Sequence, residues 1–212
     1  VYCLFRKYTG IFPEQAVNWD YIFTVIKEEA ERRGTGSGQD IKALNLFAYT
    51  GGATVAAAMA GAKVTHVDAS KGMTNWAKEN ARSSGLGDAP IRWLIDDCIK
   101  FVEREIRRGN KYQVIIMDPP SYGRGPKGEM WKMEECIFNL IQLTSQILAD
   151  DAILYLINMY TTGLSPAVLN YMINVTVMQG HGGKVMSEEI GLPIRDTGLI
   201  LPCGCTARWT KQ

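Results

Sequence analysis

Lys42-Ala43-Leu44-Asn45-Leu46-Phe47-Ala48-Tyr49-Thr50-Gly51-Gly52-Ala53 runs from an apolar strand through a pair of glycines into a helix. The strand covers 42–48 and the helix 53–60, with only the glycine turn between them. The unit repeats downstream: strands at 63–69, 91–94 and 112–117 alternate with helices at 71–84 and 99–108. Such alternation predicts a parallel sheet covered by helices on both faces. Ile137, Leu140, Ile141, Thr144 and Leu148 then form one helical stripe, followed by a strand at 152–157 and a helix at 166–178. Two last strand candidates, 184–190 and 203–209, read as a hairpin-like pair. Seven strands in this order predict an α/β, doubly wound, open and mostly parallel sheet; a closed barrel would need about eight regular repeats.

Upstream, Trp19, Ile22, Phe23, Ile26 and Ala30 recur at helical spacing within 14–33, and Pro13 stands where proline suits the start of a helix. Gly34 to Asp40 is a polar, glycine-rich joint. The expected organisation is a leading segment with an amphipathic helix, 1–40, and a main domain, 41–212. The 23 Lys plus Arg against 22 Asp plus Glu leave a net charge of +1. No global field can then hold a polyanion, and any nucleic-acid contact must be a local patch. Cys3, Cys98, Cys136, Cys203 and Cys205 show neither a disulfide framework nor Cys-x-x-Cys spacing, which fits a reducing cytoplasm. No apolar run is long enough to span a bilayer, and no secretory signal is visible. The chain starts at Val1 rather than at Met, as a fragment would, and two readings stay open: an N-terminal module was removed, or this branch finds its substrate differently.

The glycine turn lies at the sheet edge where strand ends and helix N-termini converge on ligands. Gly-x-Gly-x-x-Gly and Gly-x-x-x-x-Gly-Lys-Ser/Thr are both absent, which points to a cofactor without phosphate. Asp68 ends the second strand, where a carboxylate can accept both ribose hydroxyls. Asp96-Asp97-Cys98 ends the third, beside the expected edge of an adenine. A ribose and an adenine without phosphate describe S-adenosylmethionine. Gly51-Gly52 alone reads equally well as a tight turn; Asp68 and Asp97 in step with it favour the cofactor. Asp118-Pro119-Pro120-Ser121-Tyr122 ends the fourth strand as a rigid corner able to hold a flat polar group. A simple strand-ending turn is the commoner role of such dipeptides, but at this ligand-edge position it comes second.

With these motifs together, the chain resembles a class I S-adenosylmethionine-dependent methyltransferase. More narrowly, Leu44-Asn45-Leu46-Phe47-Ala48-Tyr49-Thr50-Gly51-Gly52, Val67-Asp68-Ala69-Ser70 and Asp118-Pro119-Pro120-Ser121-Tyr122 resemble the bacterial 23S rRNA cytosine-C5 and guanine-N7 methyltransferase family. The resemblance implies a Rossmann-like methyltransferase sheet and an rRNA substrate. It implies cofactor contacts from Phe47 through Gly52, from Asp68, Ala69, Ser70, Asp97 and Cys98, and from Asp118. A segment before the first strand, here with Gln15 and Asn18, would meet the methionine end, although it departs from the family's Asp-Gln-Arg core. The family's small N-terminal RNA-binding domain has no match here, and neither does its cysteine after the fifth strand, where 158–162 read Asn-Met-Tyr-Thr-Thr.

Without that thiol, covalent C5 chemistry is disfavoured, though cytosine C5 stays the alternative. The expected mechanism holds an exocyclic amine by Asp118 and the Pro119 carbonyl, with Pro120 fixing the corner and Tyr122 stacking on the base; a ring nitrogen is the other target kept open. Arg124, Lys127, Trp131 and Lys132 lie in a glycine-rich stretch that reads as a lid over RNA. For Trp131 alone, packing under the next helix is the favoured reading. His66 and His181 have no acidic partners in pattern and read as structural, so no metal is expected. Glu103 and Arg107 are expected to pair across one helical turn, and Met172 and Met178 to fill core. A non-catalytic S-adenosylmethionine-binding module and, less favoured, a nicotinamide oxidoreductase are the other classes, and self-association into a homodimer is left open.

Overall fold

The computed structural model describes residues 10–34, 38–124, 130–161 and 164–211. A short 3-10 turn, Pro13–Gln15, with proline in its first turn, leads into α1, Ala16–Arg32, and a second 3-10 turn, Gly38–Asp40, precedes the sheet. The alternating part is β1 (Lys42–Leu46), α2 (Gly52–Met59), β2 (Lys63–Asp68), α3 (Lys71–Ser83), β3 (Ile91–Ile95), α4 (Cys98–Arg108) and β4 (Val114–Met117). There follow β5 (Tyr122–Arg124), β6 (Met130–Lys132), α5 (Met133–Ser145), β7 (Leu154–Met159), α6 (Pro166–Asn174), α7 (Val177–His181), β8 (Lys184–Pro193) and β9 (Ile200–Thr210).

Seven strands form one sheet in the order β3-β2-β1-β4-β7-β9-β8, and β9 runs antiparallel to both of its neighbours. The expected doubly wound, mostly parallel sheet is therefore present. β4 and β7 are buried along their whole length, as central parallel strands covered on both faces should be. Alternate residues feed two cores. Leu44, Leu46, Ile115, Met117, Tyr155 and Ile157 pack with Phe101, Ile137, Ile141 and Leu169 from α4, α5 and α6. Ala43, Val64, Val114, Ile116, Leu154 and Leu156 pack with Ile22 and Ile26 of α1 and Ala56 and Ala57 of α2. The leading helix thus belongs to one covering layer of the sheet.

Three elements differ from expectation. The single helix over 166–178 is broken at Val175 and Thr176, whose neighbouring β-branched side chains disfavour continuation; Thr176 Oγ1 bonds back to the Met172 carbonyl at 2.6 Å. The expected lid begins and ends as an antiparallel hairpin, β5 with β6. Among the described residues Glu103 and Arg107 form no ion pair with each other; α4 instead directs Arg104 to Asp96 and Arg108 to Glu105.

The strand order reverses between β1 and β4, which places the ends of these two strands at the topological switch point of the sheet. Leu46 pairs with Met117 there, so the glycine loop and the proline corner leave the sheet side by side.

Candidate functional site

The loop after β1 is bent beyond what ordinary side chains prefer. Phe47 and Tyr49 have φ of 54° and 48°, in the left-handed region, where such residues are held only by their surroundings. Asp68 supplies part of that hold: its Oδ2 accepts the Tyr49 N–H at 2.9 Å and its Oδ1 the Ser70 N–H at 2.8 Å. Burial lifts the Asp68 carboxyl above its ordinary range, and these two bonds oppose the lift. Each oxygen keeps a further lone pair for a ligand hydroxyl. Gly51 has φ of 86° and a Cβ there would stand 2.9 Å from the Ala77 Cβ; a Cβ on Gly52 would stand 2.5 Å from the Trp19 ring. Both glycines are demanded by the packing. Thr50 Oγ1 donates to the Gly10 carbonyl at 2.7 Å, and Ser70 Oγ caps α3 by accepting the Met73 N–H. Ala69 is exposed beside it.

The end of β3 departs from the sequence reading. Cys98 does not open onto the cleft: it is 4% exposed, accepts the Phe47 N–H at its Sγ at 3.3 Å and packs beneath the loop. Burial pushes its thiol far up. Asp97 caps α4, accepting the Lys100 N–H at 2.9 Å, because its position is the N-cap of the helix that carries Cys98 inward. Ile95, 50% exposed, pairs in register with Asp68 and offers an apolar surface beside that carboxylate, a feature the sequence reading missed.

At the corner, Asp118 N–H reaches the Leu46 carbonyl at 3.4 Å. Its Oδ1 is shut off from solvent and has no partner among the described residues. Burial, and second the charge of buried Glu14, raise this carboxyl to about 7. The corner's carbonyls are not all free. Trp131 Nε1 donates to the Pro120 carbonyl at 2.6 Å, and Met133 N–H to that of Ser121 at 3.0 Å. The Pro119 carbonyl is left without a partner among the described residues. Trp131 also stacks, tilted, 5.5 Å from the Phe47 ring, so it braces the corner against the loop, a contact different from the expected packing under the following helix. Tyr122 is 54% exposed, with its hydroxyl 3.3 Å from Met130 Sδ. Lys132 pairs with Glu135 at 2.8 Å. Lys127 and the Arg124 side chain lie outside the described residues.

Gln15 and Asn18 meet residues of β7 and β9. Gln15 Oε1 accepts from Asn18 Nδ2 at 2.9 Å and Asn158 Nδ2 at 3.1 Å, while Gln15 Nε2 donates to the Tyr160 hydroxyl. Asn18 Oδ1 accepts from Arg208 Nε at 2.9 Å. Asn158 and Tyr160 were not anticipated, yet Asn158 was visible as an amide inside an otherwise apolar strand. Asn45 carries the same signal in β1; it donates to Thr54 Oγ1, which also bonds His66 Nδ1, both at 2.9 Å. His66 is buried and held neutral, and no described cluster of His, Cys, Asp and Glu could hold a metal ion.

Gly10, Gln15, Asn18, the loop from Phe47 to Gly52, Ser70, Asp118 and Asn158 all line one cleft of about 1220 Å³. A single small ligand fills roughly 300–1,000 Å³, so there is room for a cofactor and part of an acceptor. Asp68, Ala69, Asp97, Cys98 and Ile95 do not line this cleft; Asp68 reaches it only through the Tyr49 and Ser70 N–H groups that it holds. A loop without a triphosphate cradle and, at the far side, a carboxyl oxygen without a partner among the described residues fit a nucleoside-bearing group without phosphate.

Residues 28–169 match the model of the S-adenosylmethionine-dependent methyltransferase family. The chain is similar to a ribosomal RNA large subunit methyltransferase K/L of Shewanella frigidimarina, 40% identical over 108 residues. That match takes in 48% of this chain and 15% of the relative. The enzyme of the same name from Legionella pneumophila (strain Lens) is 32% identical over 118 residues, 55% of this chain and 16% of the relative. Among solved structures, the SAM-dependent methyltransferase of Agrobacterium tumefaciens superposes with a TM-score of 0.87 at 36% identity, covering 97% of this chain and 64% of that one. A magnesium protoporphyrin IX methyltransferase from Synechocystis, with bound SAM, shares the fold at a TM-score of 0.57 and 12% identity, over 91% of this chain and 79% of that one.

Proposed function

The chain belongs to the S-adenosylmethionine-dependent methyltransferase family, and from that premise we propose that it methylates a base of ribosomal RNA. S-adenosylmethionine supplies a methyl group already activated on a sulfonium. The rest falls to positioning and to the acceptor. In this reading Asp68 takes the ribose hydroxyls, Ile95 lies along the adenine, and the backbone from Phe47 to Gly52, with Ala69 and Ser70, surrounds the nucleoside. Gln15 and Asn18, fixed by Asn158, line the methionine end, and the division at residue 40 is one along the sequence, since α1 covers the sheet of the domain that follows it.

The observation that carries the proposal is Asp118: a half-buried residue at the cleft whose Oδ1 is closed to solvent and without a partner among the described residues, beside a strained glycine loop at the switch point. As a carboxylate it accepts a hydrogen of an exocyclic amine, with the Pro119 carbonyl for the other, and keeps the nitrogen lone pair on the methyl group. Pro120 is held by Trp131, and exposed Tyr122 stands ready to stack on the base. Support for rRNA as the acceptor is the name carried by the Shewanella and Legionella relatives, and a ribosomal substrate implies a cytoplasmic enzyme. Covalent C5 chemistry is less favoured. Cys205 pairs with Met159 across β7 and β9, but it is buried and its thiol is pushed up to about 11, so it stays protonated.

The test is transfer of labelled methyl to rRNA lacking the modification, with the product nucleoside identified by mass spectrometry. Asp118→Ala is expected to abolish transfer. An undiminished rate in that variant would overturn the mechanism, and a 5-fluorocytosine adduct lost on replacing one cysteine would restore the C5 alternative.

A further inference from the structure

A second concavity, of about 500 Å³, opens at the opposite edge of the sheet, where β1, β2 and β3 begin and α4 ends. Lys42, Lys63, Arg92 and Lys111 line it. Lys42 and Lys63 are direct partners in the parallel register, so their side chains leave the same face of adjacent strands. Arg92 pairs with Thr65, two residues on from Lys63, and joins them on that face. Like charges placed opposite one another on a sheet are destabilising. None of these three side chains has a carboxylate partner among the described residues.

The one carboxylate lining the concavity is already committed. Glu105 is fully buried and accepts Tyr112 Oη and Asn110 Nδ2, both at 2.8 Å, and Arg108 Nη1 at 3.1 Å. Lys111 is turned toward the Gln146 carbonyl at 2.5 Å and is left out of the cluster. In a chain of net charge +1, three unpaired cations converging on one concave surface are a local field of the kind phosphate binding requires.

We propose that Lys42, Lys63 and Arg92 form a phosphate-binding site for the backbone of the substrate RNA, remote from the methyl-transfer cleft. The inference rests on the reading of the acceptor as RNA and narrows it. β1 separates the two sites by roughly 17 Å, at about 3.3 Å per residue, so only an RNA long enough to reach around the sheet engages both. The substrate is then a structured RNA segment rather than a free nucleoside or a short oligonucleotide.

The experiment measures binding of a fluorescent rRNA stem-loop and of a short single strand, over a range of salt, to the full chain and to Lys42→Gln/Lys63→Gln/Arg92→Gln. For the stem-loop, Kd is expected to rise at least about tenfold, and the slope of log K against log salt to fall by about one per lost phosphate contact. KM for the stem-loop rises, while kcat, cofactor affinity and short-strand binding stay unchanged. Lys42→Arg/Lys63→Arg keeps wild-type affinity. A triple variant with the wild-type Kd and salt slope, on an RNA that the wild type methylates, would overturn the site alone. A wild type that neither binds nor methylates any RNA would overturn both the site and the RNA reading.

Discussion

Asp118→Asn replaces a carboxyl by a neutral side chain of the same shape at the one corner position whose Oδ1 is closed to solvent and unpartnered. Burial first, and the Glu14 charge second, raise that carboxyl from 3.8 to about 7 in the folded chain. Between those values the folded state binds a proton that the unfolded chain has released. Asp118 therefore costs no stability below about pH 4, costs progressively more as pH rises toward about 7, and a constant amount above it. A difference of about three units at 1.36 kcal/mol each sets the ceiling near about 4 kcal/mol. Asparagine carries no such penalty. The variant is expected to be more stable than the wild type at pH 8 by up to about 4 kcal/mol, and by less than half as much at pH 5. For a chain of this size the gain at pH 8 raises Tm by up to about 8–16 °C, at about 2–4 °C per kcal/mol. Reversible urea unfolding at both pH values measures it. Methyl transfer should fall by at least about 100-fold in the same protein, and wild-type turnover should rise with pH through about 7 as the carboxylate forms. A variant no more stable than the wild type at pH 8, or a gap that does not narrow at pH 5, would refute the claim that this carboxyl is buried without compensation.

Gly52→Ala drives a Cβ into the Trp19 ring and should cost about 1–3 kcal/mol, read by thermal unfolding; Trp19→Phe in the same chain should recover most of it. Asp68→Asn keeps one acceptor where two backbone N–H groups need one each, so calorimetric titration should show cofactor affinity down by at least about tenfold, with about 1–3 kcal/mol of stability lost. Trp131→Phe removes the bond to the Pro120 carbonyl, and should lower kcat with cofactor affinity intact; a rise in RNA KM alone would instead make Trp131 a base contact.

The sheet was legible because its signals are local and repeated. Each strand is a short apolar run and each helix carries a stripe, so the order of elements follows from periodicity. What escaped was decided by single backbone or side-chain choices. The break at Val175 and Thr176 comes from a hydroxyl bonding back to the Met172 carbonyl, which no hydrophobic pattern records. The β5–β6 hairpin has three residues a side and no alternation to betray it. The strain at Phe47 and Tyr49 was equally hidden: a glycine announces a positive φ, whereas an aromatic residue in that region is placed there by bonds made elsewhere, here by Cys98 for Phe47 and by Asp68 for Tyr49.

The site divides the same way. The places of Gly51, Gly52, Asp68 and Asp118 at strand ends were readable, since the residue type at each is demanded by geometry or charge there. Cys98 was misread because proximity in sequence to the third strand end says nothing of direction; a thiol one residue inside a helix N-cap is turned beneath the loop. Asn158, Asn45 and Glu14 went unnoticed for the opposite reason, lying in or beside apolar runs where a polar residue reads as noise. Yet a buried amide must find partners, and in β7 it found Gln15 and Asn18 from a segment some 140 residues away. A polar side chain within a fully buried parallel strand therefore carries information of its own: near a switch point, it marks where the sheet meets the segment that closes the site.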